Sequence, residues 1–145
     1  MMVAPAIVGL DLSITATGIC STTGICSTVG GPAPRGDGRL VTISGAVYDA
    51  WCVHAADLVV IEDLQAHTMG NGVLTHLVHG VVRRDLVSAD VPYVLVSATT
   101  LKLFATGDGH ADKPAMAVAA FKVAGVEFAD DNQCDAWWLR AAGLD

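Results

Sequence analysis

The chain has 145 residues, 52% of them apolar and only 16% charged, which suits one domain with a real core and excludes a disordered polyelectrolyte. Its formal net charge of −7, with eight basic residues, argues against a nucleic-acid binder, because phosphate contacts want a basic footprint. That objection softens if several carboxylates converge on metal ions that neutralise them locally. No apolar run approaches the ~20 residues needed to cross a bilayer, and the apolar stretch from Met1 to Leu12 lacks a basic leader and contains Asp11, so a cytoplasmic protein is expected. Cys20, Cys26, Cys52 and Cys134 form no Cys-x-x-Cys pair, which favours ordinary buried thiols over a zinc site or a disulfide framework.

In chain order, Ile7 to Leu12 reads as a buried strand carrying one acid, Asp11. Gly-Ile-Cys-Ser-Thr occurs at 18–22 and again at 24–28; each copy is one strand long, which suggests a hairpin. Gly30 to Gly38 is a turn-rich loop, Leu40 to Ser44 reads as a further strand, and Ala46 to Ala56 has helical spacing. Leu58-Val59-Val60-Ile61-Glu62 is the best strand candidate, a continuous apolar run that again ends in an acid. Residues 65–72 read as a flexible loop, Val73 to Ser88 as a helix, Val91 to Val96 as a strand and Ala98 to Ala105 as a short helix. After the breaker Thr106-Gly107-Asp108-Gly109, Asp112 is placed to cap a helix with Pro114 in its first turn, running to about residue 124. Asp130 or Asp131 caps a last helix through Ala142. Early strands followed by strands alternating with helices predict an α/β layer fold, with no linker long enough for a second domain, so residues 1–145 are read as one unit.

Asp11 and Glu62 end two apolar strands, where an ionised carboxylate is costly without a partner. Few basic residues stand near them in sequence, so a metal is a reasonable partner. Asp131 and Asp135, at i and i+4, share one face of the last helix, and Asn132 is also placed to share it. Hard oxygen donors in this number suit Mg2+ or Mn2+, and two such ions ~3.5–4 Å apart can activate water and stabilise a leaving oxygen in phosphodiester cleavage.

Four segments together resemble a known family, the RuvC-type Holliday junction resolvases. They are Gly9-Leu10-Asp11-Leu12-Ser13-Ile14-Thr15-Ala16-Thr17-Gly18, Val60-Ile61-Glu62, Ser97–Lys102 with Thr106–Lys113, and Asp131-Asn132-Gln133-Cys134-Asp135-Ala136. The resemblance implies a ribonuclease H-like fold, a central five-stranded mixed sheet flanked by helices. It implies a metal-dependent endonuclease, a hydrolase cleaving branched DNA as a homodimer with two Mg2+ ions per site. Asp11, Glu62 and Asp135 would be the metal ligands and Asp11 would bridge the ions. Lys102 and Lys113 would contact scissile-strand phosphates. Independently of the resemblance, arginines suit phosphate contacts, which makes Arg83 and Arg84, and Arg35 with Arg39, further DNA-contact candidates. Three departures stand out. Asn132 replaces one of the family's paired aspartates, which brings Asp131 forward as the substitute and likens the chain to bacteriophage-encoded relatives. Gln65 stands where the family carries an aromatic that stacks on junction bases, which suggests cleavage of flaps and forks as well. His110 occupies a position often held by arginine. Trp137 and Trp138, adjacent on the last helix, must point in different directions, and one of them is assigned to the core. The rival readings are a catalytically silent protein that recognises branched DNA, and an actin- or sugar-kinase-like ATPase domain, for which the chain is short.

Overall fold

The computed structural model describes residues 2–31, 34–64 and 71–145. Five strands, β1 (Ile7–Asp11), β2 (Ala16–Cys20), β3 (Cys26–Gly30), β4 (Leu58–Glu62) and β5 (Tyr93–Val96), form one sheet in the order β3-β2-β1-β4-β5. β1 pairs antiparallel with β2 and parallel with β4; β2–β3 is the hairpin expected from the duplicated sequence, and β4–β5 is parallel. Five helices complete the described chain: α1 (Asp37–Cys52), α2 (Asn71–Ser88), α3 (Ala98–Thr106), α4 (Lys113–Ala124) and α5 (Asp131–Leu144). None of them is long and apolar enough to cross a membrane.

The period-two alternation of the strands divides the core into two layers. Val8, Leu10, Val59 and Ile61 point to the face covered by α1 and α2, where they meet Ile43, Val47, Trp51, Val78, Val82 and Leu86. Ile7 and Val60 point to the opposite face and pack with Leu101, Met116, Ala120, Trp138 and Leu139 of α3, α4 and α5. By the same alternation Gly9, Asp11 and Glu62 belong to the α5 face. Gly9 and Gly18 let α5 lie directly on the sheet: a Cβ at either position would fall within 3.0 Å of the α5 backbone, at the carbonyl oxygens of Ala136 and Asn132 respectively.

Leu40–Ser44, expected as a strand, lies inside α1. The run Leu40-Val41-Thr42-Ile43 has strand-like composition, yet only Ile43 is buried; Val41 and Thr42 face solvent. Ile43, Val47 and Trp51 recur every four residues on one stripe, and burial of that stripe outweighs the mild helix penalty of the branched side chains.

The later helices are bounded by side-chain caps and left-handed glycines, with Asp112 capping α4 as expected. Ser97 accepts from Thr100 N at 3.1 Å and Asp112 from Ala115 N at 2.9 Å, and α3 and α4 end at Gly107 (φ 81°) and Gly125 (φ 66°). Asp130, not Asp131, caps α5: its Oδ1 accepts from Gln133 N at 2.9 Å, while its Oδ2 accepts from the Thr28 hydroxyl of β3 at 2.6 Å. One carboxylate thus starts the helix and ties it to the sheet edge. Asp130→Ala is expected to cost about 1–2 kcal/mol, read as a lower urea midpoint at unchanged slope. An unchanged midpoint would show the cap and the Thr28 bond to be dispensable.

Candidate active site

Asp11 closes β1 and Glu62 closes the adjacent parallel β4, with Leu10 opposite Ile61 one residue earlier. Neighbouring parallel strands ending together bring both acids to one edge of the sheet, and their shared parity turns both toward α5. Asp135, on the second turn of α5, enters from above and is 3% exposed. One ligand oxygen from each of Asp11, Glu62 and Asp135 lies within 4.8 Å of the others. The turn that follows Asp11 is held by Thr17, fully buried, whose hydroxyl donates to Ser13 O at 2.7 Å and accepts from Ser13 N at 3.1 Å. Sequence reading passed over Thr17; a hydroxyl set between apolar strand residues four positions after Ser13 was the available signal.

Close packing of like charges shows in their protonation. Burial, then the charge and hydrogen bond of Glu62, then the charge of Asp135, push the Asp11 carboxyl up to about 8, against a smaller opposing pull from Lys113. Burial and Asp135 also raise Glu62, although the bond from Asp11 and the charges of Lys113 and Lys102 oppose this. Lys113, at the start of α4, donates to Asp135 Oδ2, with its side chain half exposed. Burial draws the Lys113 pKa down, but the bond to Asp135 and the charges of Asp135, Asp11 and Glu62 outweigh it and hold the pKa above the usual lysine value. A lysine in the first turn of a helix is poorly placed for the helix itself. Its carboxylate partner accounts for it.

Three acids against one ammonium leave the cluster short of positive charge. Its donors are all hard oxygens converging on one point, so the residues present fit a small divalent cation such as Mg2+ or Mn2+.

The other expected site residues are placed as follows. Lys102 is half-buried on α3, near enough for its charge to act on Glu62. Asp131 is exposed and does not join the carboxylate group; as the first residue of α5 it lines a separate cavity with Val118, Phe121 and Phe128. Asn132 is half-buried with its carbonyl against Gly18. Arg83 and Arg84 are not brought to the acids. Arg83 donates to the Tyr93 hydroxyl at 3.3 Å and lies 5.7 Å from that ring's centre, and Tyr93 pairs with Val59 at the far end of β4 from Glu62. Arg84 is exposed and pairs with Asp85 at 3.3 Å. Arg39 donates to the carbonyls of Ile14 and Pro34, both at 3.1 Å, bracing the loop beyond Asp11, and Arg35 lines the cavity beside Thr15. His110 is exposed. Trp138 is core, its Nε1 donating to Met116 O at 3.1 Å, whereas Trp137 is half-buried against Phe128. Gln65 lies outside the described residues, as does most of the loop expected at 65–72; Asn71 and Gly72 already belong to α2. All four cysteines are free, Cys20 and Cys134 buried as expected, Cys26 half-buried and Cys52 exposed.

No family model matches the chain. Over 90 residues it is 37% identical to the crossover junction endodeoxyribonuclease RuvC of Gloeobacter violaceus, covering 62% of this chain and 52% of that protein, so the chain spans about half the length of the curated relative it matches. The structure of Thermus thermophilus RuvC superposes with a TM-score of 0.76 at 18% identity, covering 92% of this chain and 90% of that one. The same protein in complex with a Holliday junction substrate gives 0.73 at 20% identity, over 92% and 89% of the two chains. The fold is therefore the expected ribonuclease H-like one, a five-stranded mixed sheet flanked by helices. The chain is thus similar in sequence, over 90 residues, to a RuvC crossover junction endodeoxyribonuclease, and similar in fold to the Thermus RuvC structures.

Proposed function

We propose that this chain is a RuvC-type, metal-dependent endonuclease that hydrolyses phosphodiester bonds in branched DNA. The observation that carries the reading is the convergence of Asp11, Glu62 and Asp135 at the carboxyl edge of the two central parallel strands. These three carboxylates would hold two divalent ions, Mg2+ or in its place Mn2+. When bound, the metal supplies charge to the scissile phosphate and lowers the pKa of water. The chain's own residues do the rest. Burial and the neighbouring acids favour the protonated Asp11 carboxyl, which donates a hydrogen bond to Glu62. Lys113, kept cationic by Asp135 and with its side chain half exposed, would donate to a phosphate oxygen of the scissile strand. Lys102, on the Glu62 side, meets a second phosphate. Water adds to phosphorus, one P–O ester bond breaks, and the departing oxygen leaves as a hydroxyl carrying a proton derived from the water.

Branched DNA, in the form of a Holliday junction, is the substrate bound by the Thermus protein; for this chain it is the proposed partner, with a homodimer presenting two sites to two strands. The net charge of −7 disfavours long duplex contacts, which is consistent with recognition concentrated at the branch point. The test is Mg2+-dependent cleavage of a labelled immobile four-way junction, beside a flap and a fork, by wild type and Glu62→Gln. Nicking by wild type, reduced at least a hundredfold in the variant, is the expected result. Comparable cleavage of flaps and forks would mark a broad branch nuclease, and paired symmetric nicks in the four-way junction alone would mark a strict resolvase. Junction binding without cleavage at low salt in either metal would leave a DNA-recognition protein with structural carboxylates.

A further inference from the structure

A second reactive cluster lies in the β2–β3 hairpin, outside the carboxylate site. In its turn Ser21 N donates to Ile25 O at 2.9 Å and Gly24 N to Ser21 O at 2.9 Å, with Gly24 at φ 86°. Ser21 and Ile25 therefore form the hydrogen-bonded pair that closes the hairpin, and the next pair inward, Cys20 opposite Cys26, is a non-hydrogen-bonded one. At such pairs the strands approach most closely, with Cα atoms ~4.5 Å apart and both side chains on the same face. A disulfide asks for Cα atoms ~4.4–6.8 Å apart. The register thus pairs the two cysteines at a position whose backbone spacing suits a disulfide.

The surroundings assign different parts to the two thiols. Cys20 is fully buried under α5, whereas Cys26 is half-buried on the edge strand, where a small solute can reach it. Arg140 of α5 reaches the same turn: its Nη2 donates to Thr22 O at 2.8 Å, and its buried Nε has no partner. The bond donated by Cys20 lowers the Cys26 pKa, and the Arg140 charge lowers it further against the cost of burial. Its bond to Cys26, then its burial, push Cys20 up. While protonated, Cys26 Sγ donates to Gly24 O at 3.7 Å.

We propose that Cys20 and Cys26 are a peroxide-reactive dithiol, with Cys26 as the attacking sulfur and Cys20 as the resolving one. The Cys26 thiolate attacks one oxygen of a hydroperoxide, the O–O bond breaks, and Cys26 becomes a sulfenic acid as hydroxide or alkoxide departs. The Cys20 sulfur then attacks the Cys26 sulfur, the S–O bond breaks, and the Cys20 proton leaves with that oxygen as water. Two thiols and one peroxide thus give one disulfide, with the peroxide reduced to two molecules of water, or to one water and one alcohol. Neither step needs a catalytic metal or a change of strand register.

The test treats the full chain with a modest molar excess of hydrogen peroxide, followed by denaturing alkylation and intact-mass measurement. Two of the four thiols are expected to resist alkylation, with a loss of about 2 Da mapped to the peptide holding residues 20 and 26, reversed by dithiothreitol. In Cys20→Ser, Cys26 should accumulate as a sulfenic acid that dimedone traps. In Cys26→Ser, a small change on an edge strand, Cys20 should stay reduced. Oxidation of Cys52 while Cys20 and Cys26 remain alkylatable, or bridging through Cys52 into a covalent dimer, would overturn the proposal. So would equal peroxide consumption by Cys26→Ser and wild type.

Discussion

Asp11→Asn is expected to abolish junction cleavage, by about a thousandfold or more, equivalent to ~4 kcal/mol of transition-state stabilisation, while leaving the affinity for branched DNA within a few-fold of wild type. The same substitution should make the metal-free protein more stable at alkaline pH. Asp11 is held at about 8 in the folded chain, against ~3.9 when unfolded. Its folded pKa is raised, so its contribution to stability is fully present below pH ~4 and is lost as pH rises toward and through 8. In metal-free wild type the melting temperature should therefore decline from mildly acidic to mildly alkaline pH. The asparagine variant, which has no charge to bury there, should decline less and melt above wild type at pH 8. Magnesium should raise the wild-type melting temperature at pH 8 and leave the variant nearly unmoved. Parallel melting profiles for the two proteins, with equal magnesium shifts, would remove Asp11 from the metal site.

Gly18→Ala is the second change of large expected effect, and it acts far from any charge. A methyl group at residue 18 would overlap the carbonyl of Asn132, a backbone atom that no rotamer change can move. Relief requires lifting the first turns of α5 from β2, which uncovers Cys134 and Trp138 and withdraws Asp135 from Asp11 and Glu62. Overpacking with a forced backbone shift costs about 1–3 kcal/mol, and the loss of buried contacts adds to it, so a drop of ~3 kcal/mol or more is expected in chemical denaturation. Gly45→Ala is the matched control. It lies inside α1 with nothing within 4 Å of its added Cβ, and should be neutral or slightly stabilising. If Gly18→Ala unfolds at the same denaturant concentration as the control, α5 is not seated on the strand as described.

How much of this was legible in the sequence depends on the range of the interaction. Asp11 and Glu62 could be found because each interrupts a run of apolar residues at the point where a strand ends, and parity then turns both to the same side. The caps Asp112 and Asp130 are local too, since each bonds a backbone amide three residues on. Leu40–Ser44 failed as a strand because composition outvoted spacing: the stripe that decides the matter, Ile43, Val47 and Trp51, extends beyond the segment that looked like a strand. Asp131 shows the limit of helical-wheel reasoning. It shares a face with Asp135, but it sits a full turn nearer the helix start, ~6 Å along the axis, and the carboxylate site engages only the second turn. Gly9 and Gly18 were quoted as part of a motif without a physical reason. That reason, the backbone of a helix more than a hundred residues later in the chain, cannot be read locally.

The placement of α5 also bears on the order in which the protein becomes competent. Asp11 and Glu62 emerge early in synthesis and can pair their strands, but α5, which buries Gly9 and Gly18 and delivers Asp135, follows the other described elements in the chain. A chain still being extended therefore holds two of the three acids against an uncovered sheet face. On the proposed function it has no means of cutting DNA until the closing helix docks. On that reading, the step that seats α5 on the sheet is also the step that assembles the three carboxylates.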